Sequence, residues 1–410
     1  MSRCCSALIL IAMLTGAAPA QGVAAKDAED AVLRLPLGPA AFRSKTLTVA
    51  PGSILSAAKG KAVPFDKMIG TMKKCRLVYV GETHDSLPIH DIQASVIEGM
   101  AKAVPRLSIG LEMLPVGLQP VLDRWSRGEL SEEDLIRETR WYLTWSFNFG
   151  YYRRIFLFAK ERGIPMYALN APREAISKVR MAGWDALSDE DKAVIPKPDL
   201  GHRDHRTLIR TIFESAEIPP QMKGAGLDVM FEALYRAQSA WDEVMSAFAV
   251  RRAEESGTVL VVLAGSGHLL YNLGINRRAY EKARWPQATV VCVAVPKDAK
   301  SVVVSRGLAD FVFGIPAEER PSFPAVGLGF KSFEGLRNLV VEKKPSDGVA
   351  KSADLDKGDV VLSVDGRGFE DANELRAYLA GFAWGQESRF RILRAGSEKE
   401  VVLKFEAAAD

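Results

Sequence analysis

Leu77-Val78-Tyr79-Val80-Gly81-Glu82-Thr83-His84 is the stretch on which the fold turns. An apolar run, rich in β-branched residues, stops at a glycine; an acid, a hydroxyl and an imidazole follow within three positions. A run apolar on both faces is expected as a buried strand of a parallel sheet. Gly81 is expected to turn the backbone sharply, standing the next side chains at the strand's carboxyl end. Open α/β sheets place their ligands there. Residues 259–264, followed by Gly265-Ser266-Gly267-His268, repeat the design. A lone Gly-x-x-His is most simply a histidine capping a turn. Two of them, in a chain with only five histidines, point to one shared site.

Working outward, residues 107–112 form a strand ending at Glu112, and 165–169 form one that ends in Asn170-Ala171-Pro172-Arg173. Residues 288–295 supply the last strand of this part. Their alternation with helices predicts an α/β fold: a mainly parallel sheet with helices on both faces. After Asp85-Ser86-Leu87-Pro88 a helix begins, and His90, Gln93 and Ile97 share one of its faces. The most aromatic part holds Trp141, Tyr142, Trp145, Phe147, Phe149, Tyr151 and Tyr152. It is either core or the wall of a flat apolar ligand. Residues 184–257 are too long for an ordinary connection and are expected as a helical lid over the site. His202 and His205, on its approach, read as a solvated turn.

At 410 residues the chain is expected to hold two domains. A net charge of +3 gives no case for nucleic acid as a partner. Met1-Ser2-Arg3, an apolar run over 7–14 and a small-residue end describe a secretory signal over residues 1–25. The run is short for a membrane span. Export to the periplasm is therefore expected, or membrane association through an uncleaved N-terminal segment. Beyond the signal only Cys75 and Cys292 remain, and whether they pair is left open.

Residues 26–315 are assigned to the larger domain and 316–326, with Pro316, Pro321 and Pro324, to a linker. Residues 327–408 differ in texture, with Gly327-Leu328-Gly329-Phe330, short strands, turns at Gly358-Asp359 and Asp365-Gly366, and one helix from Asp371. This small α+β segment resembles a bacterial-type PDZ domain. The resemblance implies that Gly327, Leu328, Gly329 and Phe330 hold a peptide carboxylate while the strand edge takes an added strand. The expected partner is a C-terminal or extended peptide of an envelope protein.

The larger domain, roughly residues 45 to 295, resembles the ChaN-like haem-binding domain of the Tiki superfamily. The matching residues are Gly81-Glu82-Thr83-His84-Asp85, His90 with Gln93, Leu111-Glu112-Met113 with Gln119, and Trp141 with Tyr152. Further on, Ala168-Leu169-Asn170-Ala171-Pro172-Arg173, Gly265-Ser266-Gly267-His268, and Tyr271 with Gly274-Ile275 continue the match. The resemblance implies haem binding linked to iron uptake, with a tyrosine or histidine as axial ligand. Tyr271 is the first candidate; His268, His84 and Tyr152 are the others, and Arg173 would meet a propionate. Taken alone, Tyr271 reads equally as a core tyrosine and Arg173 as a helix-start arginine.

Other branches of the superfamily imply a hydrolase. His84, Glu112 and His268 would then hold a divalent metal such as zinc or manganese. Glu82 would act as general base, or His84 without any metal. A Gly-x-Ser-x-Gly elbow, the mark of many serine hydrolases, is missing from the sequence. A third possibility is a PDZ adaptor with an inert site. A second copy of the chain is a further partner to test.

Overall fold

The computed structural model describes residues 31–215, 226–333 and 335–407; the expected signal segment lies outside them. β1 (Thr46–Val49), β2 (Ile54–Ser56), β3 (Lys61–Ala62) and α1 (Phe65–Met72) lead into β4 (Leu77–Glu82). α2 (Leu87–Ala103) precedes β5 (Leu107–Pro115). Next come α3 (Gln119–Ser126), α4 (Glu132–Glu138), α5 (Trp141–Thr144), α6 (Arg153–Arg162) and β6 (Met166–Asn170). α7 (Arg173–Ala182), α8 (Asp189–Val194), α9 (Arg203–Ser215) and α10 (Gly226–Ser256) lead to β7 (Val259–Gly265). α11 (Ile275–Ala283), β8 (Gln287–Val295), β9 (Val302–Ser305) and β10 (Phe311–Pro316) complete the larger unit.

One sheet holds β3-β2-β10-β8-β4-β7-β5-β6 in that order. β10, β8, β4, β7, β5 and β6 run parallel; β2 and β3 are antiparallel additions at one edge. β4 is buried along its whole length. Its alternate side chains enter different cores, as the period of two in a strand requires. Val78 and Val80 pack with Ile97 and Met100 of α2 on one face. Leu77 and Tyr79 pack with Ala240, Val244 and Ala249 of α10 on the other. The helical region expected over the site is thus anchored by α10, which lies as a layer on the sheet.

Five strands of the larger unit, β1, β2, β3, β9 and β10, had no counterpart in the sequence expectation. β10 pairs with β8 and with β2, so the larger sheet extends to Pro316. β9 pairs with β1 in a separate small ladder.

The remaining elements are β11 (Phe330–Lys331), β12 (Leu339–Val341), β13 (Val360–Val364), α12 (Ala372–Ala380), β14 (Glu387–Arg394) and β15 (Ser397–Lys404). They form an antiparallel sheet in sequence order with its own core, including Leu328, Phe330, Leu375, Leu379 and Phe390. Asp371 caps α12 by accepting from the Asn373 and Glu374 amides. Cys75 and Cys292 are both free thiols. Among the described residues no helix is long and apolar enough to cross a membrane.

Candidate functional site

Strand register brings the two Gly-x-x-His segments together. β4, β7 and β5 are adjacent and parallel, with Glu82 opposite Gly265 and Leu111 opposite Leu263. Glu82, Gly265 and Glu112 therefore stand at one edge of the sheet, and His84 and His268 follow within three residues. Both glycines are required by close approach. A methyl group on Gly81 would lie 2.8 Å from Ser266 Oγ; one on Gly265 would lie 3.0 Å from His84 Cε1. β4 runs straight through Gly81, so this glycine makes room for the neighbouring strand's loop and does not turn the chain.

Glu82 is the anchor of the first half. Its Oε1 accepts from His84 Nδ1 at 2.7 Å and from the Tyr152 hydroxyl at 2.8 Å; its Oε2 accepts from Gln93 Nε2 at 2.9 Å. Burial opposes its charge, but His90, His84 and the Tyr152 hydroxyl outweigh burial and hold it ionised, below the usual carboxylate range. Gln93 in turn accepts from His90 Nδ1 at 2.9 Å, so the helical face containing His90 and Gln93 serves the site. His84 loses some proton affinity to burial, yet Glu82, Glu112 and Asp85 raise it overall. Among the described residues its Nε2 has no hydrogen-bond partner. The ring is walled by Trp145, edge-on at 4.7 Å, and by Phe147 at 4.9 Å.

The second half is a carboxylate–imidazole–carboxylate row. Glu112 Oε2 accepts from the Gly265 amide at 2.5 Å, and its Oε1 lies 3.3 Å from His268 Nε2. His268 Nδ1 lies 2.6 Å from Asp242 Oδ1. Burial disfavours the imidazolium, but Glu112 and Asp242 on either side push its pKa up to about 10. The Gln238 amide is 2.7 Å from the same Nδ1 and its Oε1 has no other partner. Gln238 Nε2 is the atom that faces it; because a protonated Nδ1 cannot accept, turning this amide over would bring its unpaired carbonyl oxygen to the ring. Behind Asp242 stand Arg278 Nη1 at 3.3 Å and His205 Nε2 at 3.1 Å, the latter off the hydrogen-bond line. Burial keeps His205 neutral, lowering its pKa to about 4. His205 is thus a fully buried neighbour of the site, where a solvated turn was expected.

The structure therefore gathers Glu82, His84, Tyr152, Glu112 and His268. Tyr152 is fully buried; besides donating to Glu82 it accepts from Trp145 Nε1 at 2.9 Å. Tyr271 goes elsewhere: its hydroxyl donates to the Val32 carbonyl at 2.7 Å, and its ring packs with Leu37 and Val304. Its φ of 59° is the reason, since a left-handed residue turns its side chain off the helical path that spacing from His268 suggested. Arg173 is an exposed helix-start residue whose charge is felt by Arg376 of α12. Sequence inspection missed Asp242 and Gln238. Two polar residues four apart inside the apolar stripe of α10 were the signal available. Among the described residues, no three His, Cys, Asp or Glu side chains are disposed to hold a metal ion.

Residues 68–279 match the family model described as haem-binding uptake, Tiki superfamily, ChaN. Residues 324–405 match the PDZ domain. Among solved structures, ChaN of Campylobacter jejuni with cofacially bound haem is similar at 17% identity and a TM-score of 0.51, covering 66% of this chain and 96% of that one. An erythromycin esterase, a mutant of EreC in its open conformation, is similar at 12% identity, covering 64% and 83%, with a TM-score of 0.37. The HtrA-type protease AlgW with a decapeptide is similar at 21% identity over 26% and 38%, with a TM-score of 0.19. No curated protein matches the chain.

Proposed function

From the premise that this chain belongs to the haem-binding uptake family of the Tiki superfamily, ChaN, we propose that it is an exported haem-binding protein of iron uptake. Its PDZ domain would recruit an envelope protein by that protein's C-terminal peptide. One observation carries the haem assignment. His84 is fixed through Nδ1 by Glu82, its Nε2 is without a protein partner among the described residues, and two aromatic rings wall it. That donor set fits haem, because an imidazole nitrogen without a protein partner, beside flat apolar surface, would hold iron once it gives up its proton. Bound haem would supply an iron centre open to such a donor.

His84 thereby replaces Tyr271 as first candidate. His268 fits less well, since both its nitrogens face carboxylates. Tyr152 would have to give up Glu82. Arg173, exposed at the start of α7, remains the proposed propionate partner. The proposed boundaries stay at residues 1–25, 26–315, 316–326 and 327–408.

Hemin titration followed by absorption tests this. Wild type and Tyr271→Phe are expected to bind with a shifted Soret band, and His84→Ala to bind at least about tenfold more weakly, the loss of roughly 1.4 kcal/mol. Equal binding by wild type and His84→Ala would remove His84 from the role.

A hydrolase reading keeps one specific support. His84 oriented by Glu82, opposite an imidazolium held by Glu112 and Asp242, is a base and an acid at one sheet edge. Its metal-dependent form, with zinc or manganese on His84, Glu112 and His268, requires His268 to lose its proton and its contact with Glu112. Elemental analysis of metal-reconstituted protein decides that form: a stoichiometric metal lost in Glu112→Gln supports it, and its absence in wild type counts against it.

A further inference from the structure

The face of α12 that looks toward the Gly327–Phe330 loop is covered by the larger domain. Asn373 Oδ1 accepts from the Tyr142 amide at 3.0 Å, and Arg376 Nη1 donates to the Tyr142 carbonyl at 2.8 Å. Both backbone groups of one residue are thus held by two side chains one helical turn apart. The contact continues on either side. Arg140 donates to Asp371 at 3.0 Å, and Asn148 donates to the Ala380 carbonyl at 2.8 Å. Leu143, next in sequence, packs against the PDZ core. Arg376 shows which face this is: a methyl group on Gly329 would lie 3.8 Å from its Nη2.

The other end of the same segment is at the buried site. Trp145 and Phe147 lie against His84, and Trp145 is bonded to Tyr152 and through it to Glu82. Two non-glycine residues with left-handed backbone, Arg140 at φ 48° and Ser146 at φ 74°, bracket α5. Such conformations persist where surroundings enforce them and relax when the surroundings let go.

We propose that α5 is an internal occupant of the PDZ groove, and that a peptide C-terminus entering the groove displaces it and draws Trp145 and Phe147 away from His84. Peptide capture on one side of this segment would then open the buried site on its other side. The occupant that competes is a peptide ending in an aliphatic residue with a free carboxylate. Leu143 marks the apolar seat, and buried Arg376 Nε, which has no partner among the described residues, is a donor such a carboxylate can use. This inference rests on the PDZ assignment and needs the haem assignment only for what the opening admits. Coupling of this kind is reciprocal: a ligand that displaces Trp145 raises peptide affinity by the same factor.

Two measurements on the full chain test it. The probe is a fluorescein-labelled peptide copying residues 134–143, with a free carboxylate on its final leucine. It is expected to bind the Leu143→Asp protein about tenfold more tightly than wild type, within the usual range of such couplings. Hydrogen exchange then reads the segment itself. In the double variant Asn373→Ala with Arg376→Met, amides 141–149 are expected to exchange about tenfold faster than in wild type, with β13 and β14 still protected. Equal peptide affinity of wild type and Leu143→Asp, or unchanged exchange over 141–149 in the double variant, overturns the proposal. Hemin binding to the same wild-type sample is read separately, so its failure falls on the haem assignment and leaves the coupling result intact.

Discussion

His268 sits between two carboxylates in a place that excludes water, and its charge is the consequence. The groups facing it are Glu112, Asp242 and Gln238, with Trp241 edge-on at 6.4 Å. A folded-state pKa raised from 6.5 to about 10 means that the fold binds this proton more tightly than the unfolded chain does. The stabilisation is fully present below 6.5 and is lost as pH rises through about 10. Denaturant titrations of wild type and His268→Gln from roughly pH 6 to about 10 are expected to show wild type losing stability more steeply. Parallel curves would contradict the ion row. At this scale the sequence disclosed Glu82, His84 and His268 through their spacing from two glycines, and Glu112 as the acid that ends a strand. It concealed Asp242, because one acid inside an apolar helical stripe looks like an ordinary interruption until α10 is laid on the sheet. Tyr271 misled because spacing says nothing of a left-handed φ.

Among the elements, β4 and β7 were readable as strands because both faces of each are apolar and each run ends at the chemistry. β10 was not. Phe311-Val312-Phe313-Gly314-Ile315-Pro316 contains a glycine and ends in proline, and only its pairing with β8 makes it a strand. The close approach of Gly265 at the end of β7 to the His84 ring yields a prediction of its own. Gly265→Ala puts a methyl group 3.0 Å from His84 Cε1 and 3.3 Å from its Nε2. The ring must move away from Trp145 or the strand must shift. A loss of ~1–3 kcal/mol in thermal or denaturant unfolding is expected, as for other overpacked cores. Hemin affinity should fall with it. Wild-type stability in the Gly265→Ala protein would show that this approach is looser than described.

For the whole molecule, the larger domain and the PDZ domain, each with its own core, meet through α5 and α12, so the larger domain's site and the PDZ domain share a wall. The aromatic segment around Trp145 serves both as core and as lining of the site, and sequence alone left those two roles as alternatives. The proposed signal segment would set where this occurs. If residues 1–25 are a cleaved signal, mass spectrometry of protein recovered from the periplasm of an expressing bacterium will find a chain shortened by about that leader. Full-length mass in the cytoplasmic fraction alone would remove export.

His84 Nε2, held from behind by Glu82, is the atom proposed to meet iron. Imidazole rescue tests it most directly: hemin is added to His84→Gly, and spectra are taken without and with free imidazole. The variant is expected to show altered absorption and electron paramagnetic resonance spectra that return to those of wild type when imidazole fills the space. Wild-type spectra from His84→Gly before any imidazole is added would contradict it.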